Sequence, residues 1–225
     1  TSDLIEPLIN DKTKAIVPVH LYGQSCDMAP IINLAERYDL KIIEDNAQAI
    51  GCKYTFPDGE KKYTGTLGHI GTTSFYPSKN LGCYGDGGAI FTNDEELASK
   101  IKMIANHGQE KRYYHKVTGC NSRLDSLQAA ILNVKLKYLD EYNQNRLKMA
   151  NKYDEAFRDL EQITIPNRST NSTHVFHQYT LKSESINRDD ILKYLSNRGI
   201  PAMIYYPVPL YKQEAFSKYV DPNFK

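Results

Sequence analysis

Lys79 stands in the stretch SFYPSKNLGCYGDGG, residues 74–88, between two apolar runs of strand character. Pro77, Ser78, Asn80, Gly82, Gly85, Asp86, Gly87 and Gly88 crowd it. Such a composition lets a backbone come close to a ligand and take up positive φ angles. A lysine amine presented there can attack a carbonyl carbon and form a Schiff base. A solvated lysine on a glycine-rich surface loop is the alternative. Asp45 ends a second apolar run, KIIED. A carboxylate with apolar residues behind it is unfavourable unless it meets a cation. It can cap a helix, pair with an arginine, or pair with a protonated heterocyclic nitrogen.

Taken together, these residues fit one chemistry better than any of them does alone. Pyridoxal phosphate needs a lysine for its aldehyde, an acid for its pyridine nitrogen and donors for its phosphate. Lys79 and Asp45 supply the first two. Ser74, just upstream of the lysine, offers a hydroxyl to the phosphate, and Gln48, just after the acid, can contact the ring or its phenolic oxygen. Other chemistries fit less well. The glycines from Gly82 to Gly88 run into a strand rather than opening a helix, which rejects a dinucleotide-binding fingerprint. Lys79 precedes those glycines, which excludes a P-loop. The histidines show no metal-ligand spacing, and His107, His115 and His177 read as hydrogen-bonded structural residues. No metal is expected. No nucleophile elbow is visible.

The elements that must carry these groups follow from periodicity. KAIVPVHLYG (residues 14–23) reads as a buried strand, MAPIINLAERYDL as an amphipathic helix and KIIED as the next strand. A strand, helix and strand within so short a span form a βαβ unit with parallel strands. Ligands of such sheets bind beyond the carboxyl ends of the strands, which singles out Tyr22 with Gly23, and Asp45 with Asn46 to Gln48. Pro57-Asp58-Gly59 marks a surface hairpin. HIGTTSFY and GAIFTN are strands on either side of Lys79. A helix follows, capped at Asn93 or Asp94 and stopped by Gly108. Residues 109–123 read as a polar loop, and 124–160 as one long helix or two in series. VFHQYTLKS reads as a strand, NRDDILKYLSNRG as a helix ending at Gly199, and IPAMIYYPVPLY as a strand into a proline-rich loop. The expected fold class is α/β, with residues 1–138 in a large domain and 139–225 forming a linking helix and part of a smaller α+β domain.

Composition sets outer bounds. With 28 basic against 27 acidic residues the net charge is +1, which gives no electrostatic case for nucleic acid or an anionic membrane. No apolar run reaches the length of a membrane span. Cys26, Cys52, Cys83 and Cys120 form no CxxC pair and read as free thiols in a reducing cytoplasm.

HLYGQ, EDNAQAIG, SFYPSKNLGCYGDGGAIFTND and GCNSRLDSLQAAIL occur here in the order seen in nucleotide-sugar aminotransferases of the DegT/DnrJ/EryC1/StrS type. The chain resembles that family over nearly its whole length. The resemblance implies a fold type I pyridoxal phosphate enzyme in which Lys79 binds the cofactor covalently, Asp45 pairs with its pyridine nitrogen, Gln48 flanks the ring and Ser74 holds the phosphate. It implies that Asn121 reaches the phosphate of a neighbouring subunit, so that a homodimer shares its active sites. HGQEKRYYH, CYGDGG and YYPVPLYKQ look most like relatives acting on UDP-2-acetamido-3-oxo-glucuronate. In that comparison Arg123 binds the substrate carboxylate from the partner subunit and Tyr206 lines the sugar pocket, while Tyr205 stands where those relatives often carry histidine. The implied reaction moves an amino group from glutamate to a keto nucleotide sugar, in a setting of surface polysaccharide or lipopolysaccharide assembly. Related dehydratases on this fold replace the lysine with histidine, so Lys79 argues for transamination. A non-catalytic dimerisation or regulatory module is the rival from another class. The family's N-terminal phosphate-binding loop has no counterpart here, so a fragment binding the cofactor weakly, and itself inactive, is a further expectation.

Overall fold

The computed structural model describes residues 1–219. After a short helix α1 (Ser2–Ile5), the βαβ unit forms as β1 (Ala15–Ile16), α2 (Met28–Arg37) and β2 (Lys41–Asp45). A hairpin follows, β3 (Lys53–Thr55) with β4 (Lys61–Tyr63), and then β5 (Ile70–Ser74) and β6 (Gly88–Phe91) on the two sides of the lysine segment. Next come α3 (Glu95–Ala105), a small ribbon of β7 (Gln109–Lys111) and β8 (Tyr114–His115), α4 (Ser126–Lys135), α5 (Leu139–Phe157) and α6 (Arg188–Ser196). The main sheet has the order β1-β2-β5-β6, with the first three strands parallel and β6 antiparallel to β5.

The chain divides into two compact units. One comprises Thr1–Ala156 with Asn167–Tyr179; the other comprises Phe157–Pro166 and the residues from Thr180 onward. Helix α5, read from sequence with the C-terminal part, therefore belongs up to Ala156 with the sheet. Its Asn143 is buried and bonded to the lysine segment and to the loop after β2, which ties it there.

Within the first unit, α2 turns Met28, Ile31, Leu34 and Ala35 onto Ile16, Leu40, Ile42 and Tyr54. Each large apolar side chain so buried contributes about 1.5–3 kcal/mol. A second cluster of Phe75, Leu81, Cys83, Leu132 and Leu139 packs the lysine segment against α4 and the start of α5. The segment is closed at its base, where Ser74 pairs with Gly88 and the Phe75 N–H donates to the Gly87 carbonyl.

Several sequence expectations are corrected. The first strand is only two residues long, because Pro18 has no N–H to give to a ladder. The chain rejoins the sheet through the Pro18 carbonyl, which accepts from Asp45 N–H (2.9 Å), and through a parallel bridge between Val19 and Asp45. The polar loop after α3 contains the β7–β8 ribbon. VFHQYTLKS and IPAMIYYPVPLY form no strands; the former contributes only an isolated bridge, Thr164 with Lys182, and its first half is pinned to the turn at Gly23. Asp94 caps α3 through bonds from Glu96 N–H and Leu97 N–H, and Gly108 and Gly199 take positive φ after their helices, as the sequence indicates.

Candidate active site

Asp45 is the last residue of β2, and Lys79 follows the end of β5 by one turn, so parallel neighbours deliver both groups at their carboxyl ends. Asp45 Oδ1 accepts from Ala47 N–H (3.0 Å), which orients the carboxylate. Burial pushes the Lys79 ammonium below its ordinary value of 10.5, and the nearby Asp45 carboxylate opposes that fall in part. A lysine so placed carries more of its neutral, nucleophilic form than a surface lysine does. Gln48 is buried, and its Oε1 accepts from Tyr22 N–H (2.6 Å). Tyr22 sits at φ 59° and Gly23 at φ 109°, a tight turn at the end of the first strand. A Cβ on Gly23 would lie 2.9 Å from the Phe176 nitrogen, so only glycine fits there. Ser74 Oγ accepts from Tyr76 N–H (3.2 Å), which leaves its hydroxyl hydrogen to donate.

The glycines after Lys79 serve a purpose that composition misread. None of Gly82, Gly85, Gly87 and Gly88 has positive φ. A Cβ on Gly82 would lie 2.4 Å from the Pro77 carbonyl oxygen. At Gly82 the close approach is therefore of the segment to itself, while Gly85 and Gly87 make room for the side chains of Gln128 and Leu124.

Behind Asp45, on the opposite face of β2, lies a pair that sequence reasoning missed. His20 and Glu44 are fully buried, with His20 Nε2 2.8 Å from Glu44 Oε2. The Cys26 N–H donates to His20 Nδ1 (3.1 Å), so the imidazole proton resides on Nε2 and is donated to the carboxylate. Glu44 also accepts from the N–H groups of Gly65, Leu67 and Gly68, at 2.7, 2.6 and 2.6 Å. Burial pushes its carboxyl up, but the His20 and backbone hydrogen bonds outweigh this and hold it below 4.5. The pair locks the turn at residues 20–23 and the approach to β5, and so frames the site from behind.

Lys79 opens onto a cleft of about 710 Å³ that α5 and the 176–179 segment also line. Asn121 and Arg123 are exposed, with Arg123 Nε donating to Asn121 Oδ1 (2.8 Å), and they line a different cleft between β6 and α3. Within one chain, then, Lys79 and Asp45 come together, Ser74 ends the strand before Lys79 and Gln48 follows the strand that ends in Asp45, while Asn121 and Arg123 line another cleft. Tyr205 and Tyr206 belong to the second unit, where their rings meet edge to face. Among the described residues no helix is long and apolar enough to cross a membrane, and no cluster of His, Cys, Asp and Glu could hold a metal ion.

The sequence profile of the DegT/DnrJ/EryC1/StrS aminotransferase family matches residues 1–223. The chain is 48% identical over 217 residues to a pleiotropic regulatory protein of Geobacillus stearothermophilus, covering 95% of this chain and 56% of that one. It is 46% identical over 212 residues to the UDP-2-acetamido-2-deoxy-3-oxo-D-glucuronate aminotransferase of Pseudomonas aeruginosa, covering 94% and 57%. The crystal structure of S. venezuelae DesV in complex with a ketimine intermediate superposes with a TM-score of 0.92 at 39% identity, over 99% of this chain and 58% of that one. NtdA from Bacillus subtilis, solved with bound cofactor PMP, gives 0.85 at 36% identity, over 100% and 51%. The chain thus spans a little over half the length of these relatives. The family's cofactor is pyridoxal phosphate, and a depressed lysine beside a strand-end carboxylate and a donating serine fits that group.

Proposed function

This chain belongs to the DegT/DnrJ/EryC1/StrS aminotransferase family, and we propose that the protein moves an amino group from glutamate to a keto nucleotide sugar. The acceptor class is a UDP-3-keto-N-acetyl sugar or its uronate, consumed in surface polysaccharide assembly in the cytoplasm. The observation that carries the reading is Lys79, desolvated and coupled to Asp45 across adjacent parallel strand ends. The activity of the Pseudomonas relative supports the choice of acceptor. The regulatory description of the Geobacillus relative would suit a chain that kept the fold without the chemistry. A bystander lysine, however, has no need of an adjacent oriented carboxylate.

Pyridoxal phosphate, when bound, supplies a ring that accepts the negative charge left when a proton departs from the carbon bearing the amine. The residues of this chain do the rest. Lys79 Nζ, favoured in its neutral form, takes up and returns that proton. Asp45 holds a proton on the ring nitrogen, with its carboxylate oriented by Ala47 N–H. Ser74 donates its hydroxyl hydrogen to the phosphate. Gln48, fixed by Tyr22 N–H, would contact the ring or its phenolic oxygen. Asn121 and Arg123, exposed and away from Lys79 in their own chain, serve the site of a partner subunit in a homodimer.

The test is incubation of the purified protein with glutamate, pyridoxal phosphate and a panel of UDP- and dTDP-keto sugars, with mass detection of the amino sugar. Lys79→Ala is expected to abolish turnover, and Asp45→Asn to slow it by about 10³-fold. Near-normal transamination by either variant refutes the assignment.

A further inference from the structure

The cleft beside Lys79 contains a charge that the described residues leave uncompensated. Arg146, half-buried on α5, donates from Nη1 to the carbonyl oxygens of Phe176 (3.2 Å) and His177 (3.1 Å). Among the described residues it makes no other hydrogen bond, and no carboxylate lies within 4 Å of it. Burial depresses its guanidinium with nothing to oppose the shift. A guanidinium has five N–H donors in a fixed fork, so its Nε and Nη2 edge is left over. A desolvated cation without a counter-ion is unfavourable, and an anion taken from solution relieves it.

The surroundings match that need. The cleft is lined by Lys79, Asn80, Tyr142, Arg146, His177 and Tyr179, among other residues, and no Asp or Glu is in its wall. His177 Nδ1 is buried without a hydrogen-bond partner. Burial and the charges of Lys79 and Arg146 hold its imidazole at about 4, so at neutral pH it presents an uncharged ring. Lys135 adds a third cation at the wall, with its ammonium on the Gly82 carbonyl.

We propose that Arg146 and His177 form an oxyanion subsite of the Lys79 cleft, and that its ligand is a carboxylate of the amino donor. The planar fork of Arg146 suits a carboxylate held by two parallel hydrogen bonds. Ser74, the residue assigned to the cofactor phosphate, does not line this cleft, which separates the two anions. A carboxylate at Arg146 shares its cavity with the Lys79 amine, where a donor's amino group has to arrive. The inference rests on the transamination reading for the identity of the ligand.

The experiment is calorimetric titration of the purified chain with 2-oxoglutarate, in parallel with inorganic phosphate and glucuronate. Arg146→Gln retains donors for the two carbonyls and removes the charge. It is expected to weaken 2-oxoglutarate binding by about 10- to 100-fold, with an unchanged circular dichroism spectrum, and Arg146→Lys is expected to recover part of the loss. His177→Phe is expected to weaken it less. An unchanged affinity in Arg146→Gln overturns the subsite, and so does phosphate or glucuronate binding as tightly through Arg146. The two readings fail separately. Arg146-dependent dicarboxylate binding without amino-sugar formation keeps the subsite and removes the acceptor assignment. Turnover with an unchanged KM for glutamate in Arg146→Gln does the reverse.

Discussion

At the scale of single residues, the groups legible in the sequence are those whose type and immediate neighbours announce them. Lys79 amid turn-formers and Asp45 at the end of KIIED are of this kind, and the structure places both at adjacent strand ends. Glu44, His20 and Arg146 left no such trace. Glu44 and Arg146 bond to backbone N–H and carbonyl groups far away in sequence, and His20 bonds to Glu44 itself, pairings that composition cannot encode. Glu44 nonetheless has a measurable signature. Its carboxyl lies below 4.5 in the folded chain, so its contribution to stability is whole above 4.5 and drains as pH falls through the folded value. Thermal denaturation of Glu44→Gln is expected to show a loss of about 2 kcal/mol at neutral pH, with the gap to wild type narrowing in acid. A gap that stays constant with pH would count against this account.

At the scale of elements, the lysine segment is held by one polar knot. Asn80 Nδ2 donates to Asn143 Oδ1 (2.8 Å) and to the Val175 carbonyl (2.9 Å), and Asn143 Nδ2 donates to the Ile50 carbonyl (3.2 Å). Both asparagines are buried, so the knot joins the residue after Lys79, the loop after β2, and α5. Asn143→Ala strands a buried amide and a carbonyl, and a stability loss of about 2–3 kcal/mol is expected in urea denaturation. The helical stripe of α5 was legible from its period, but its role was not. A polar residue on an apolar stripe reads as a neutral exception until its partners are seen. Pro18, Gly85 and Gly87 show the same limit: their types were clear, but what they had to avoid or approach was set by chain brought in from elsewhere.

At the scale of the whole molecule, the α/β alternation was recoverable from period and turn chemistry, whereas the antiparallel direction of β6 after the lysine segment comes from the structure alone. The C-terminal stretches were not, since β-branched and aromatic runs there gave no ladders. The proposed sharing of sites between subunits can be tested by complementation. Mixed and refolded Lys79→Ala and Asn121→Ala chains should recover about a quarter of wild-type activity, because half the dimers are hybrids and each hybrid rebuilds one site. No recovery above that of the separate variants would place Asn121 outside a shared site.

Strand β2 carries Glu44 and Asp45 side by side, one buried in the fold and the other turned toward the chemistry. The pleat makes them a two-letter message that can be read in only one frame. A single residue lost from the Tyr38–Leu40 turn would offer Asp45 to the backbone amides at Gly65 and Gly68, and put the uncharged Asn46 where Asp45 now faces the lysine. The strand could still pair. Whether the protein has a cofactor partner at all is thus decided in a bend remote from Lys79, by a count of residues and not by their kind.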